Sequence, residues 1–449
     1  MMRLAFFYSL LIGPTLSASP SFTRDVSPLL RKSCAGCHQP SSKASGLDVT
    51  SYAAFLAGGK RGASFIAEKP GESLTIKYLT AEVQPRMPMG QPPLPGADID
   101  IIREWIQAGA KDDTPLSIED TTPTVYSQAP VINSLRFSPD GRSIAVSGNR
   151  EVFIHPVEAG AAPMRLQGKA ERLLSLAYSA DGKLLIAGGG TPAQFGEVQI
   201  WDVHAGKLLR SAMLTNDTVF GASLSPDASK IAVGATDNTV HVLETATAKE
   251  LYKIGNHEDW VLATVFGVDS KRFVSVSRDR AAKIIDASSG AFLENANLLK
   301  SELNAIARHP SKDIVVIGGE DRYPYVYLLD RPRNMKIADD TTLVRRIERQ
   351  DGPITALDWS ANAKLIAVAG AASSVNIYDA DTGDRKLSCS GHAAGLYAIA
   401  FSPDSTRLAT GGFDGKVRIY SMKDCSLLRE FVPVPLTNSQ TNSVAAGTR

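Results

Sequence analysis

Apolar and polar positions alternate along most of the chain, and from about residue 129 the alternation recurs as a repeat. Each copy has a short apolar strand, a polar turn, a continuously apolar second strand and a third strand, which in five copies ends in an apolar–acidic pair. In the first copy, Leu135 to Phe137 precedes the turn Ser-Pro-Asp-Gly, and Ser143 to Val146 follows it. Such alternation over short segments bounded by turn residues predicts strands. Equivalent turn positions recur 41 to 51 residues apart, at Ser138, Ser179, Ser225, Gly267, His309, Ser360 and Ser402.

A repeat of this length built only from strands is typical of a β-propeller blade. Seven copies predict an all-β, seven-bladed propeller over residues 129–432. The last outer strand is assigned to residues 426–431 in preference to the N-terminal residues 124–127. Residues 433–449 are rich in Ser, Thr, Asn and Pro, and we expect this tail to be disordered.

A different pattern precedes the repeats, with apolar residues at helical spacing. One helix is predicted over residues 22–32. A second is predicted over residues 98–108, with Asp98 as its N-cap and Gly109 ending it. A loop-rich segment lies between them. Residues 20–113 therefore predict a small all-α domain, and the Thr-, Pro- and Asp-rich residues 114–128 predict a linker.

The first residues match an export signal. Arg3 is followed by an apolar segment, residues 4–12, and then by small residues. The apolar segment is too short to cross a bilayer, so residues 1–18 predict a cleaved signal peptide and a periplasmic or secreted protein. No later segment approaches the length of a membrane span.

Charge adds little to the choice of partner. The chain has 48 basic and 47 acidic residues and a net charge of +1. This balance gives no reason to expect nucleic acid or an anionic membrane surface as a partner.

The strongest chemical signal is Cys34-Ala-Gly-Cys37-His38. In this spacing two thiols add across the vinyl groups of one haem, and the adjacent imidazole coordinates the iron. A zinc site needs a second ligand pair, and a thioredoxin-like pair needs a βαβ context that is missing here. The remaining cysteines, Cys389 and Cys425, are predicted to lie in outer strands of different repeats. Two unpaired thiols are therefore favoured, with a disulfide left open.

The segment from Arg86 to Gly90 (Arg-Met-Pro-Met-Gly) supplies candidates for the sixth iron ligand. A thioether in that position stabilises reduced iron and suits electron transfer. Met87 is the preferred ligand and Met89 the alternative. A third interpretation is that neither methionine binds the iron and that the methionine only packs against the porphyrin.

Together, CAGCH, RMPMG and the final Trp105-Ile-x-x-Gly-Ala resemble a small cytochrome c domain, of the type often found in planctomycete and acidobacterial proteins. In that family the ligand loop reads Met-Pro-Pro, and its ligand aligns with Met87, whereas Met89 replaces the second proline. The repeats resemble divergent WD repeats, with Trp201-Asp202 and Gly391-His392 as the best-formed elements.

These features predict an exported c-type cytochrome with one covalent haem. Cys34 and Cys37 attach the haem, His38 and Met87 are the axial ligands, and the propeller is a docking platform for an unidentified redox partner protein. A redox enzyme centred on the propeller and a haem-based sensor or scaffold are the alternatives. An electron carrier is favoured over an enzyme, because the repeats contain no recognisable catalytic motif. The histidines and turn aspartates of the repeats are interpreted as structural.

Overall fold

The computed structural model describes residues 19–39, 42, 44–113, 125–298, 300–329 and 339–437. The chain divides into two compact units, Met1–Leu116 and Ser117–Arg449. The predicted signal peptide and most of the predicted linker and tail lie outside the described residues.

The first unit is helical. A π-helical turn, Phe22–Val26, leads directly into the first helix, and the helices are α1 Ser27–Ser33, α2 Tyr52–Ala57, α3 Leu74–Leu79 and α4 Gly96–Gln107. Short 3-10 turns occupy Ala44–Gly46 and Pro70–Glu72. The predicted cap of the last helix is wrong: α4 begins after Pro95, and Asp98 lies in its first turn. An acidic side chain there still interacts favourably with the partial positive charge of the helix N-terminus.

The two middle helices were not predicted, because six residues are too few to show a helical period. They close a core around the indole ring of Trp105, which is almost completely buried. The rings of Phe22, Phe55 and Phe65 lie 4.9–6.4 Å from it, centroid to centroid. Aromatic packing of this kind joins the π-helical turn, α2 and α4.

The second unit consists of strands. The first fifteen are β1 Leu135–Phe137, β2 Ser143–Ser147, β3 Asn149–Pro156, β4 Met164–Tyr178, β5 Leu184–Thr191, β6 Phe195–Asp202, β7 Lys207–Thr215, β8 Val219–Leu224, β9 Lys230–Ala235, β10 Val240–Glu244, β11 Glu250–Ile254, β12 Val261–Phe266, β13 Arg272–Ser277, β14 Ala282–Asp286 and β15 Phe292–Asn295. The others are β16 Leu303–Arg308, β17 Ile314–Gly319, β18 Tyr325–Leu328, β19 Leu343–Arg346, β20 Ile354–Trp359, β21 Leu365–Gly370, β22 Val375–Asp379, β23 Arg385–Cys389, β24 Leu396–Phe401, β25 Arg407–Gly412, β26 Val417–Ser421 and β27 Leu427–Phe431.

Each strand pairs antiparallel with its neighbour in sequence, giving five four-stranded sheets and one sheet that contains β1 to β7. The long strand β4 belongs to two sets, because its first part pairs with β3 and its second part with β5. The described strands thus fall into successive sets of four. The second strand of each set is buried along almost its whole length, whereas the fourth is largely exposed.

A repeated turn joins the first strand of most sets to the second. In the first set, Ser138 Oγ donates to Asp140 Oδ1 (2.6 Å) and accepts from the N–H of Ser143 (3.0 Å). The same contacts recur at Ser179, Ser225 and Ser402, each with an aspartate two residues later, and at Ser360 with Asn362. The aspartates of this turn are therefore structural, because their carboxylates bind backbone N–H groups of their own turn.

The first and last sets contact each other. Ile132 N–H donates to Gly412 O (3.0 Å), and the Arg136 guanidinium donates to Ile399 O (3.1 Å). Arg429 donates to the carbonyls of Pro156 and Val157, both at 2.7 Å. Residues of both sets also share one apolar core.

The preference for unpaired thiols is wrong, because Cys389 and Cys425 form a disulfide with their Cα atoms 5.1 Å apart. Cys389 ends β23, and Cys425 lies in the turn between β26 and β27. The two belong to successive sets that pack face to face and share a core. Their separation of 36 residues is close to one repeat, so neighbouring copies bring them together.

Part of the segment predicted to be a disordered tail is ordered. Residues 433–437 run alongside Tyr126, a residue of the predicted linker. Tyr126 N–H donates to Pro435 O (2.7 Å), and Tyr126 O accepts from Thr437 N–H (2.9 Å). The Tyr126 hydroxyl reaches Glu151, a fully buried carboxylate that also accepts two hydrogen bonds from Arg165. The predicted boundaries at 128 and 432 therefore exclude residues that pack on the first set, because Tyr126 and Val434 bury apolar surface against Phe153.

We expect the turn aspartates to be replaceable by asparagine but not by alanine. Asp227 accepts from the Ser225 and Ser229 hydroxyls and from Ser229 N–H. Asp227→Ala should lower the free energy of unfolding by about 1 kcal/mol, the usual contribution of such hydrogen bonds. Asp227→Asn should cost clearly less, since Asn362 already fills the equivalent position. Denaturant unfolding measures both, and equal losses would contradict the interpretation.

Loss of the disulfide should destabilise the second unit. Chain entropy for a loop of this length predicts a loss of about 3–4 kcal/mol in Cys389→Ala/Cys425→Ala. The measurement is the unfolding midpoint with and without a reducing agent. The reductant should lower the midpoint of the wild type and leave that of the double variant unchanged. A reductant effect of equal size in both would show that the Cys389–Cys425 bond does not stabilise the fold.

Candidate functional site

The Cys34–His38 motif continues the first helix as a further turn. Cys34 and Ala35 N–H groups donate to Leu30 O (2.8 and 3.0 Å), and those of Cys37 and His38 donate to Cys34 O (3.2 and 3.0 Å). Residues three and four apart on a helical turn share one side. The backbone therefore places Cys34, Cys37 and His38 on the same side of this turn.

The imidazole of His38 has a defined tautomer. Its Nδ1 lies 3.0 Å from the carbonyl oxygen of Ala44. A carbonyl can only accept, so in the neutral ring Nδ1 carries the proton and Nε2 keeps its lone pair. The loop that supplies this carbonyl is held by Ala44 N–H to Cys37 O and by Val49 N–H to His38 O, both at 3.0 Å. Metal-binding histidines are oriented by such a bond from the ring nitrogen that does not bind the metal.

The two thiols of the motif differ in environment. Cys37 is exposed, whereas Cys34 packs against the core of the small unit. Burial raises the pKa of the Cys34 thiol to about 11. At neutral pH the Cys34 sulfur is therefore a protonated thiol, which reacts slowly with disulfides and alkylating agents.

The structure separates the two candidate methionines. Met87 is half-buried, packs against the core, and its N–H donates to Tyr78 O (3.1 Å). The side chain of Met89 is 70% exposed. Of the two, only Met87 combines a fixed backbone with an apolar environment.

The residues of the small unit fit a haem. Several apolar side chains lie half-buried on its core: Leu29, Cys34, Ala35, Leu47, Tyr52, Met87 and Ile101. A porphyrin is a flat, mostly apolar ring that packs against apolar side chains of this kind. The chain adds two free thiols, an imidazole with an available Nε2 and a core-packed thioether, the donor set of a c-type haem.

No group of three or more His, Cys, Asp or Glu side chains in the described residues is arranged to hold a metal ion. A haem does not require such a cluster, because the porphyrin itself supplies four nitrogen ligands. The candidate site therefore depends on His38 and one further axial ligand.

Five histidines of the repeats (His155, His241, His257, His309 and His392) are buried, whereas His204 is exposed. His257 Nδ1 contacts Asp279 Oδ2 and its Nε2 contacts Ser275 Oγ, both at 2.8 Å. In His392, burial and the neighbouring Arg418 lower the pKa to about 4, and Arg418 donates to its Nδ1 (3.0 Å). These rings are neutral at pH 7 and join strands within a set.

Sequence reasoning missed two residues of the small unit, Arg61 and Tyr78. Arg61 donates to the Tyr78 hydroxyl and to the carbonyl oxygen of Gln84 (3.2 Å), which lies three residues before Met87. These contacts join residues 17 and 23 positions apart. The only local signal was the concentration of glycine around Arg61, at Gly58, Gly59 and Gly62.

Family comparisons match both units. The family model for planctomycete cytochrome C matches residues 34–89, which contain Cys34, Cys37, His38 and Met87. The model for the WD domain, G-beta repeat, matches residues 341–379 and 383–421. Each WD match starts with the outer strand of one set and ends with the third strand of the next. The chain thus combines a cytochrome c-like segment with WD repeats.

Three relatives share 23–24% sequence identity with parts of this chain. An uncharacterized WD repeat-containing protein of Schizosaccharomyces pombe is 23% identical over 46% of this chain and 41% of its own length. Autophagy-related protein 16 of Arabidopsis thaliana is 24% identical over 57% of this chain and 49% of its own. Actin-interacting protein 1 of Drosophila melanogaster is 23% identical over 47% and 34%. The chain spans between about a third and a half of the length of these relatives.

None of the helices in the described residues has the length and apolar character needed to cross a bilayer.

We expect the two motif thiols to react at different rates before haem is attached. At pH 8, iodoacetamide should modify Cys34 at least about tenfold more slowly than Cys37, because thiolate is the reactive form and Cys34 is protonated. Peptide mass spectrometry over time measures both rates. In denaturant the two rates should converge. A folded protein in which Cys34 reacts as fast as Cys37 would contradict the burial of Cys34.

Proposed function

We propose that this chain is an exported c-type cytochrome, in which one covalent haem transfers electrons and the WD repeats dock a partner protein. The observation that carries the proposal is the hydrogen bond from His38 Nδ1 to Ala44 O. It prepares Nε2 as a ligand in the last residue of a C-x-x-C-H motif, inside a segment that matches a cytochrome c family.

Each residue of the site has a distinct role in this proposal. Haem iron supplies the one-electron chemistry. Cys34 and Cys37 would anchor the ring through thioether bonds, and His38 Nε2 and Met87 would hold its iron. The half-buried apolar side chains keep water from the ring faces. An iron held by two protein ligands would suit electron transfer more than binding of small ligands.

Export is part of the same proposal, since haem is attached to c-type cytochromes outside the bacterial cytoplasmic membrane. The predicted signal at residues 1–18 lies outside the described residues. The Cys389–Cys425 disulfide supports export independently, because disulfides persist mainly in oxidising compartments.

For the second unit, we propose a closed ring of seven four-stranded blades. The strand sets, with β4 shared by the first two, are consistent with seven blades. Side chains of first strands also link neighbouring sets, for example Ser175 Oγ to Ala222 N–H (2.9 Å) and Asp358 to Phe401 N–H (2.7 Å). The contacts of Arg136 and Arg429 between the last and first sets support closure.

Docking is proposed as the task of the ring. WD40 repeats generally mediate protein–protein contacts, and no enzyme motif was found in these repeats. The name of one relative, Actin-interacting protein 1, describes binding to another protein. For this chain we propose a redox protein as the partner, because the haem unit needs a donor and an acceptor of electrons.

Expression of the full chain with haem-attachment machinery tests the proposal. We expect one haem per chain that stays bound on denaturation, a mass increase on the peptide containing Cys34 and Cys37, and ferrous protein that does not bind carbon monoxide. Met87→Ala should open the iron to carbon monoxide. It should also lower the reduction potential by on the order of 0.1 V or more, within the ~0.8 V range that axial ligands span.

Met89→Ala is the matched control and should behave like the wild type, because Met89 is exposed. Protein without covalent haem would refute the proposal. Covalent haem that binds carbon monoxide in the wild type would refute methionine ligation and favour a gas sensor or an enzyme. Loss of ligation in Met89→Ala rather than Met87→Ala would reassign the sixth ligand.

A further inference from the structure

Residues 58–62 (Gly-Gly-Lys-Arg-Gly) form a small hairpin that only glycine can build. Gly59 and Gly62 exchange backbone hydrogen bonds, each 3.0 Å long. At Gly58, φ is +72°, and a Cβ would lie 2.2 Å from Gly62 O. We call residues 58–62 the Gly-Lys-Arg hairpin.

One side of the hairpin contacts the loop that orients His38. Lys60 N–H donates to Ser45 O (2.8 Å), and a Cβ on Gly59 would lie 2.7 Å from the same oxygen. Ser45 follows Ala44, whose carbonyl accepts the hydrogen bond from His38 Nδ1. The hairpin therefore packs directly against the support of the proposed fifth ligand.

The other side contacts the segment that carries Met87. Arg61 donates to Gln84 O (3.2 Å) and to the Tyr78 hydroxyl, and its guanidinium lies 5.6 Å from the centre of the Tyr78 ring. Tyr78 O in turn accepts from Met87 N–H (3.1 Å). Arg61 thus contacts Gln84, three residues before Met87, and Tyr78, whose carbonyl accepts the hydrogen bond from Met87 N–H.

We propose that Arg61 is a positioning residue for the sixth iron ligand and that the Gly-Lys-Arg hairpin couples the supports of the two axial ligands. This inference rests on the proposed haem function. A thioether is a weak ligand, so its bond to iron persists only where the chain holds it in place. The planar guanidinium suits this task, because it donates to two groups at once and also stacks on a ring. Without Arg61, Gln84 and Tyr78 lose their common donor, and the loop gains freedom to withdraw Met87.

The test compares Arg61→Ala with Lys60→Ala in full-length, haem-loaded protein. These neighbours carry the same charge, but the hairpin uses Lys60 only through its backbone N–H. In Arg61→Ala we expect covalent haem with a weakened methionine bond. The equilibrium for Met87 detachment should rise roughly tenfold, as expected for loss of hydrogen bonds from a charged donor. The readouts are carbon monoxide binding to ferrous protein and the long-wavelength charge-transfer band of methionine-bound ferric haem.

A second pair of variants tests the hairpin itself. Gly59→Ala forces a Cβ against Ser45 O, whereas Gly71→Ala meets no atom within 4 Å. Gly59→Ala should perturb both axial ligands, weakening the methionine band and shifting the resonances of the His38 ring. Gly71→Ala should match the wild type. Unchanged methionine ligation in both Arg61→Ala and Gly59→Ala would overturn the inference while leaving the haem proposal intact.

Hydrogen exchange in the haem-free protein separates the two proposals. Arg61→Ala should speed exchange of the Met87 and Val83 amides, which donate to Tyr78 O and Lys77 O. Lys60→Ala should leave both rates unchanged. If the wild type attaches no haem but these rates rise in Arg61→Ala, the haem proposal fails, while the role of Arg61 in holding the segment around Met87 is confirmed. If the rates do not rise, Arg61 does not hold the loop and the inference fails.

Discussion

The second strand of each four-stranded set is buried on both faces, and the rest of the large unit depends on this constraint. Segments such as Ile231–Ala235 and Leu408–Gly412 have no polar face to present to water. A single sheet of this kind is unstable alone, because it must find another sheet on each side. Every internal set meets this need through its neighbours in sequence, and the end sets do so through contacts such as Arg136 with Ile399.

The small unit is under the opposite constraint, because it has little material for a core. About a dozen buried apolar residues surround Trp105, and several more remain half-exposed at its edge. A domain of this size buries a smaller fraction of its surface than a large one. A covalently attached ring that covers the half-exposed residues would add to its stability, because its apolar faces would be buried against the chain only in the folded form. Folding and haem attachment are therefore linked in the proposed function.

Much of this architecture could be predicted from the sequence, and the reasons differ between elements. The strand repeats were visible because a period of two and a recurring Ser-x-Asp turn depend only on neighbouring residues. The motif Cys34–His38 was visible because its donors are adjacent. In contrast, α2 and α3 are too short to show a period, and burial, not local pattern, separates Met87 from Met89. The partners of Arg61 and Cys389 were not predicted because they lie 17 to 36 residues away in the sequence, and only the packing of neighbouring segments brings them into contact.

The four cysteines place two opposite demands on the cell that makes this protein. Cys389 and Cys425 have to be oxidised to a disulfide, whereas under the proposed function Cys34 and Cys37 have to stay reduced until haem is attached. Packing helps to sort the pairs: adjacent strand sets bring one pair within bonding distance, and burial keeps Cys34 protonated and slow to exchange. The order of events in maturation therefore matters, because an oxidant that acts before the last strand sets have assembled meets Cys389 and Cys425 unpaired and can join either of them to the exposed Cys37.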